Sequence, residues 1–594
     1  MILPDADPCQ DFFKFACGTF IKNRPLKPGI LRTNIIWVLK EDMEETILTF
    51  LNNVPWNDTA TVADKRVYNA YKLCMETGEN GIAGLRDAVD AMGGPPFAAK
   101  SRPSLEKLIE LTGGLSNPFY YAYAKPDKEA PEEMVYKAEC IRSQSEGDIA
   151  RRRELVKQIA KKLAYDFGEA YFPLDDDDLE RGLDSYKNFI PLFTFFRNGY
   201  PIFKLNRDRI ALIPEQYFED LNRYLEDHQV EAREALVIQW FLDQLPTLGN
   251  DYETIRKTYS SPYDYKPLDT YCLDKILKSH PRWKDIILLE RHYRQQDFES
   301  VHIIRESPWA DAETQKNAIE KVANVEVFVG PDWTPWSRSL VDEYYRDFPA
   351  TADSWYAFQQ KVKHFDGFLH YNHSQEESQA RPEAINDFYS LRFHWALLTP
   401  PLYHVDAALE LQYGALGFII AHEIAHTIDP GWINRDTQVL AGDEDEGQFA
   451  EQVECIDHQY GNATFPIVSS NHTFRQPGNQ THEETVADNA AVRAAFRAYR
   501  NERRRLYGRV EPKLPGLDAY TPDQLYFVAA AMFHCGEHSD GDLEGYMADE
   551  HPIGYIRVNE MMKNSKDFSR AYKCPLNSPM NPEKKCRVWR HKKI

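Results

Sequence analysis

Hydrophobic and polar positions between residues 40 and 325 recur mostly at helical spacing, with Glu, Lys and Arg filling the faces between apolar stripes. This pattern predicts helices over 41–52, 63–76, 149–169 and 232–245. Stretches rich in Pro and Gly near 92–104, 114–132 and 246–267 interrupt it and read as loops. The pattern changes at 328–335, where Val, Phe, Gly and Pro predict a strand and turn leaving the helical part, and 364–373 and 386–398 read as short strands. A strongly apolar helix follows at GFIIAHEIAHTID, residues 417–429, where Phe418, Ile419, Ile420, Ile424 and Ala425 supply a buried surface. Farther on, Val486, Ala490, Val492, Ala495, Phe496 and Tyr499 mark an amphipathic helix reaching residue 505, and another helix is predicted near 522–533.

The apolar helix carries chemistry. His422 and His426 stand four residues apart in a His-Glu-x-x-His pattern, so a helix presents both imidazoles to one metal ion. Glu423 lies one step aside, where a carboxylate can take a proton from water bound to that metal. Catalytic zinc takes three protein ligands and leaves one position for water, so an acid or a histidine farther along must complete the set. Glu484 is the best candidate, with Asp488 four residues later on the same helix face. Thr481 and Glu484 also fit a capping box opening that helix, which alone is the simpler reading. Coupled to the upstream histidines, the two acids read better as one ligand and one outer carboxylate that orients a ligand histidine.

Together these residues resemble the neprilysin and endothelin-converting-enzyme family of zinc metallopeptidases. The family's Glu-x-x-x-Asp is matched by Glu484 to Asp488, its ending by NPEKKCRVW at 581–589, and its opening by DPCQDFF at 7–13 with Ala16-Cys17-Gly18. The resemblance implies a mainly α, two-lobed fold, with a thermolysin-like zinc catalytic lobe (α with a small sheet) facing a larger helical lobe across an enclosed cavity. On that layout residues 1–325 form the mostly helical gating lobe, 326–384 connect, and 385–594 form the catalytic lobe, to which residues 1–25 are tied. It also implies one zinc ion per chain on His422, His426 and Glu484, with Glu423 as general base and Asp488 in support. The expected activity is endopeptidase cleavage of oligopeptides on the amino side of hydrophobic residues.

The resemblance extends to substrate contacts. In HPIGYIR at 551–557, His551 matches a histidine that hydrogen-bonds the transition state and Arg557 an arginine that holds a substrate carbonyl. Asn386 and Asp387 match a strand whose asparagine grips the substrate backbone, although the family has Ala where Asp387 stands. Phe418 and Ile419 match the lining of the pocket for the residue after the cut, and His534 replaces a tryptophan usual there. Ala421, Ala490 and Ala491 replace family glycines, and Arg32 loosely matches an arginine that reads a substrate carboxylate. These departures sustain a second expectation, a catalytically weak or inactive relative acting as a peptide-binding or decoy protein.

Composition narrows the partners. The 594 residues carry a net charge of −22, which argues against a nucleic-acid partner. No apolar run approaches the ~20 residues of a membrane span, and the first residues do not read as a signal peptide. Relatives with an N-terminal anchor suggest an ectodomain or a shortened sequence, and an extracellular location is expected. Nine cysteines occur without a Cys-x-x-Cys pair. The resemblance implies bridges Cys9–Cys574, Cys17–Cys535, Cys74–Cys272 and Cys455–Cys586, leaving Cys140 unpaired, and hence an oxidising compartment. Sequons at Asn57, Asn372, Asn462, Asn471 and Asn479 agree with that compartment.

Overall fold

The computed structural model describes residues 1–26, 32–53, 60–80, 85–97, 101–112, 121–126, 134–139, 146–167, 179–181, 227–259, 267–280, 282–284, 326–329, 338–346, 348–362, 384–387, 390–404, 406–427, 429–430, 443–467, 472–508, 513–547 and 549–586, with single positions 82, 177, 183, 223 and 287. At some helix and strand positions, Asn386 and Asp387 among them, it describes the backbone alone. Cys140, residues 364–373 and the sequons at Asn57, Asn372 and Asn471 lie outside the described residues.

The fold is mainly helical. The helices that matter below are α1 (Phe12–Asn23), α2 (Ile35–Asn53), α3 (Val62–Asn80), α4 (Glu146–Phe167), α5 (Gln229–Gln244), α6 (Leu268–Ser279), α7 (Leu416–His426), α8 (Asp443–Gly461), α9 (His482–Tyr507), α10 (Pro522–Met532) and α11 (Gly554–Asn564). Among the described residues the strands are β1 (Arg32–Asn34), β2 (Tyr121–Pro126), β3 (Met134–Glu139), β4 (Glu326–Val329), β5 (Ala384–Asp387), β6 (Ser390–Phe393), β7 (Phe465–Ile467), β8 (His472–Phe474) and β9 (Gly536–His538). The expected helices over 41–52, 63–76, 149–169 and 232–245 correspond to α2, α3, α4 and α5. The expected strand at 386–398 resolves into β5, β6 and a 3-10 turn at Trp395–Leu398. An antiparallel hairpin of β2 and β3 falls within a region read as helices and loops. Each of its strands is only six residues, too short for its alternation to stand out from the surrounding helical pattern.

The chain forms two compact units, one comprising residues 1–47, 287–335 and 379–594, the other 48–286 and 336–378. In the second unit a disulfide joins Cys74 on α3 to Cys272 on α6. The fully buried Trp283 donates its indole N–H to Asp64 Oδ1 at 2.8 Å.

The first unit is built around α7 packed on α9. Its N-terminal segment is fastened by the disulfides Cys9–Cys574 and Cys17–Cys535. Asp11 caps α1 by accepting from the Lys14 N–H and also accepts from Asn559 on α11. Phe12, wholly buried, meets Phe568 and Tyr572 edge-on, a burial that contributes roughly 1.5–3 kcal/mol. Strand β1 then pairs with β9, Arg32 opposite His538. A small sheet has the order β4-β6-β5, with β4 parallel and β5 antiparallel to β6, and β5 lies beside α7. Helix α10 opens with Pro522 and a reciprocal capping box between Thr521 and Gln524.

Two glycines permit close approaches that bring the helices together. A Cβ on Gly478 would lie 1.8 Å from the Asp457 carbonyl oxygen, so α8 comes this close to the turn leading into α9 because position 478 is glycine. A Cβ on Gly554 would lie 2.1 Å from the His534 carbonyl oxygen, so the start of α11 rests directly on the backbone after α10.

Candidate metal centre

Helix α7 buries Leu416, Phe418, Ile419, Ala421, His422 and Ala425, and His422 and His426 share a face with Phe418 and Ile419, the Phe418 and His422 rings lying 6.2 Å apart. His422 Nε2 and His426 Nε2 lie 3.0 Å apart. From α9, Glu484 sends Oε2 to within 3.2 Å of His422 Nε2 and Oε1 to within 3.3 Å of His426 Nε2. Tetrahedral bonds of ~2.0–2.1 Å place neighbouring ligand atoms ~3.3 Å apart, so this triangle fits a zinc ion. The chemistry of the donor set, two imidazoles and one carboxylate, fits it too. Among the described residues this is the one His, Cys, Asp and Glu group whose donor atoms converge in this way.

The capping-box reading of Glu484 does not hold. Thr481 makes no side-chain cap; its hydroxyl donates to the Gly478 carbonyl, while Glu484 turns to the histidines.

Carboxylates stand behind each imidazole. His426 Nδ1 is 2.8 Å from Asp429 Oδ2, and His422 Nδ1 is 3.0 Å from Asp488 Oδ1, the latter off the line of an ideal hydrogen bond. Partners of this kind fix ring orientation and raise ligand basicity. Arg557 on α11 grips Asp488 with two parallel bonds, Nε to Oδ2 at 2.7 Å and Nη2 to Oδ1 at 2.8 Å. Its Nη2 also reaches Glu484 Oε2 at 3.1 Å. Asp488 is fully buried and Arg557 nearly so, which makes this ion pair structural as well as electrostatic.

The charges support one another. Burial opposes ionisation of Glu484, but His422, then His426 and Arg557, outweigh it and hold the carboxyl well below its usual range. Burial likewise opposes charge on Asp488, and Arg557 foremost overcomes it, keeping that carboxyl depressed. Both acids are therefore anions at neutral pH, the form that binds metal.

His551 follows a similar pattern. Asp549 Oδ1 accepts from the His551 backbone N–H and lies 2.9 Å from its Nδ1, while Nε2 stands 3.3 Å from Glu484 Oε1. The ring is partly open to solvent. Glu423 is half-buried on α7 between the two histidines in sequence. His534 is nearly buried, with its ring edge-on to Phe418 at 5.6 Å and to Phe533 at 5.5 Å. Burial, with help from the nearby Arg557 charge, pushes its imidazole down to about 3, so it is neutral. Asn386 and Asp387 lie on β5, paired with Leu391 and Ser390 of β6. Arg32 is not gathered into this group; its guanidinium meets Asp542 at 2.7 Å and covers the Tyr546 ring.

The structure brings the predicted residues His422, His426, Glu484, Asp488, His551 and Arg557 together, and adds Asp429 and Asp549, which the sequence reading missed. Both missed acids sit within three residues of the histidine they hold, and that short spacing is the signal that could have found them.

Comparison with known proteins agrees with this geometry. Two models, both described as peptidase family M13, match residues 8–140 and 385–588. Neprilysin-11 of Caenorhabditis elegans is 30% identical over 362 residues, an alignment spanning 52% of this chain and 41% of that protein. Endothelin-converting enzyme 1 of Rattus norvegicus is 24% identical over 680 residues, covering 99% of this chain and 86% of that one. The fold is similar to that of the Mycobacterium tuberculosis zinc metalloprotease Zmp1 in complex with inhibitor, with a TM-score of 0.75, 15% identity and coverage of 99% and 98%. PepO from Lactobacillus rhamnosis is also similar, with a TM-score of 0.67, 14% identity and coverage of 98% and 100%. The matched regions contain the opening cysteines, the paired histidines and both α9 acids, and the chain accordingly belongs to peptidase family M13 as a metalloendopeptidase.

Proposed function

We propose that this protein is an extracellular zinc endopeptidase that cuts oligopeptides on the amino side of hydrophobic residues, with one zinc per chain held by His422, His426 and Glu484. The observation that carries the proposal is the 3.0–3.3 Å triangle of donor atoms with a carboxylate behind each histidine. When bound, zinc supplies Lewis acidity, which acidifies water and polarises a carbonyl.

The chain's own groups then divide the work. Glu423 takes the proton of the attacking water and returns it to the leaving amine, a role worth ~10²–10⁴ in rate. His551, oriented by Asp549, directs Nε2 at the oxygen that gains negative charge. Arg557 holds Asp488 and Glu484 in place through Nε and Nη2, which leaves Nη1 for a substrate carbonyl. Strand β5 ends the order β4-β6-β5, so its outer edge can receive a peptide as an added strand, with Asn386 and Asp387 alongside. Phe418 and Ile419 line the pocket for the residue after the cut, and His534 sits against Phe418.

Four disulfides favour an oxidising, extracellular setting, and among the described residues no helix is long and apolar enough to cross a membrane. The test is to digest a mixed peptide library with purified protein, with and without a zinc chelator, and map the cuts. Chelator-sensitive cleavage before apolar residues is expected; cleavage indifferent to the chelator would overturn the proposal.

A further inference from the structure

A buried hydrogen-bond relay runs from the C-terminal tail to the helix that carries Glu484 and Asp488. The Cys586 N–H donates to Asn564 Oδ1 at 2.9 Å. Asn564 Nδ2 donates to Asn489 Oδ1, also at 2.9 Å. Asn489 Nδ2 donates to the Tyr460 hydroxyl at 2.9 Å and to the Thr485 carbonyl at 2.7 Å. Asn489, Asn564 and Tyr460 are each no more than 3% exposed, so water does not replace these bonds.

The direction of the relay is set at both ends by backbone groups. Cys586 N–H can only donate and the Thr485 carbonyl can only accept, so neither amide can be turned over without losing a bond. The relay joins α8 through Tyr460, α9 through Asn489, the last residue of α11 through Asn564, and the tail. The disulfide between Cys586 and Cys455 ties that tail back to α8, five residues before Tyr460, so the circuit is closed.

Asn489 directly follows Asp488 on α9. A carboxylate oxygen ~6 Å from a helix axis moves ~1 Å for each 10° of rotation. Metal ligation tolerates only about ±0.2 Å, so α9 must be held to within a few degrees.

We propose that Asn489 and Asn564 are positioning residues for the metal centre: the relay sets the rotation of α9 so that Glu484 meets both histidines and Asp488 meets His422. This rests on the reading of Glu484 as a metal ligand. A merely structural pair of buried amides would affect folding stability but not the metal.

The test compares Asn489→Ala, Asn564→Asp and the double variant with Leu236→Ala, a cavity in buried α5 of the second unit, which does not contain the relay. Asn564→Asp keeps shape and places an acceptor against Asn489 Oδ1. Zinc release into excess chelator is timed well below the melting temperature, the visible spectrum of the cobalt(II)-loaded protein is recorded, and Tm is measured. Each relay variant should release zinc about 10–100-fold faster, as loss of an outer-shell partner does, with an altered cobalt spectrum. The double variant should release it no faster than the faster single, because the residues act as one unit. Leu236→Ala should lower Tm and leave release and spectrum unchanged. Relay variants that lose Tm yet release zinc at the wild-type rate with an unchanged spectrum would overturn the proposal. Wild-type protein that takes up no zinc would overturn the metal-site reading beneath it, so the two failures are distinguishable.

Discussion

Acid should weaken the second unit through one histidine. His280, at the end of α6, is wholly buried, with Nδ1 3.0 Å from the Ile276 carbonyl and its ring against Phe348 and Tyr345. Its Nε2 has no hydrogen-bond partner among the described residues. Burial, reinforced by the Arg66 charge, pushes the imidazole down from 6.5 to about 4. The sign follows from proton binding. Below pH ~6.5 the unfolded chain takes up a proton that the folded protein refuses until about pH 4, so stability falls with acidity through that window. A shift of this size corresponds to about 3 kcal/mol lost between neutrality and pH 4. Asn at this position retains a donor for the Ile276 carbonyl but does not titrate. Trp283 and Trp355, both buried in the same unit, give a fluorescence signal for its opening. Urea unfolding followed at pH 7.5, 5.5 and 4.5 should show His280→Asn less stable at neutral pH because of the smaller ring site. Its further loss on acidification should be smaller than that of wild type by roughly 2–3 kcal/mol at pH 4.5. Parallel pH profiles for the two proteins would refute the reasoning.

Three further outcomes concern the metal centre. Glu423→Gln should keep fold and zinc and lose ~10²–10⁴ in kcat, since an amide cannot accept the proton; turnover near wild type would remove Glu423 from the base role. Glu484→Ala should retain zinc far more weakly than wild type by metal analysis after dialysis, and an undiminished zinc content would contradict its place as a ligand. His534→Trp should sharpen cleavage toward Leu and Phe after the cut, because an indole adds apolar area at ~25 cal/mol per Å² where the neutral imidazole now meets Phe418. Identical cleavage maps for the two proteins would show that position 534 does not shape the pocket.

Much of this protein was determined by sequence on its own, wherever the deciding interaction is local. Helices α2 to α5 follow from apolar spacing, and the pairing of His422 with His426 follows from the helical repeat, because residues four apart must share a face. The disulfide pattern followed from family resemblance rather than from any local rule, since partners such as Cys17 and Cys535 lie 518 residues apart. Only tertiary structure could decide whether Glu484 caps α9 or turns to the histidines. The pattern from Thr481 to Glu484 serves a cap or a metal ligand equally well, and the choice depends on which groups from α7 and α11 face the carboxylate. The same holds for Arg557, whose hold on Asp488 brings together residues 69 apart, and for the relay from Cys586 to Asn489. Periodicity tells a residue which face it shares but not what that face meets, and the contacts that tune charge and hold ligands rigid here come from distant parts of the chain.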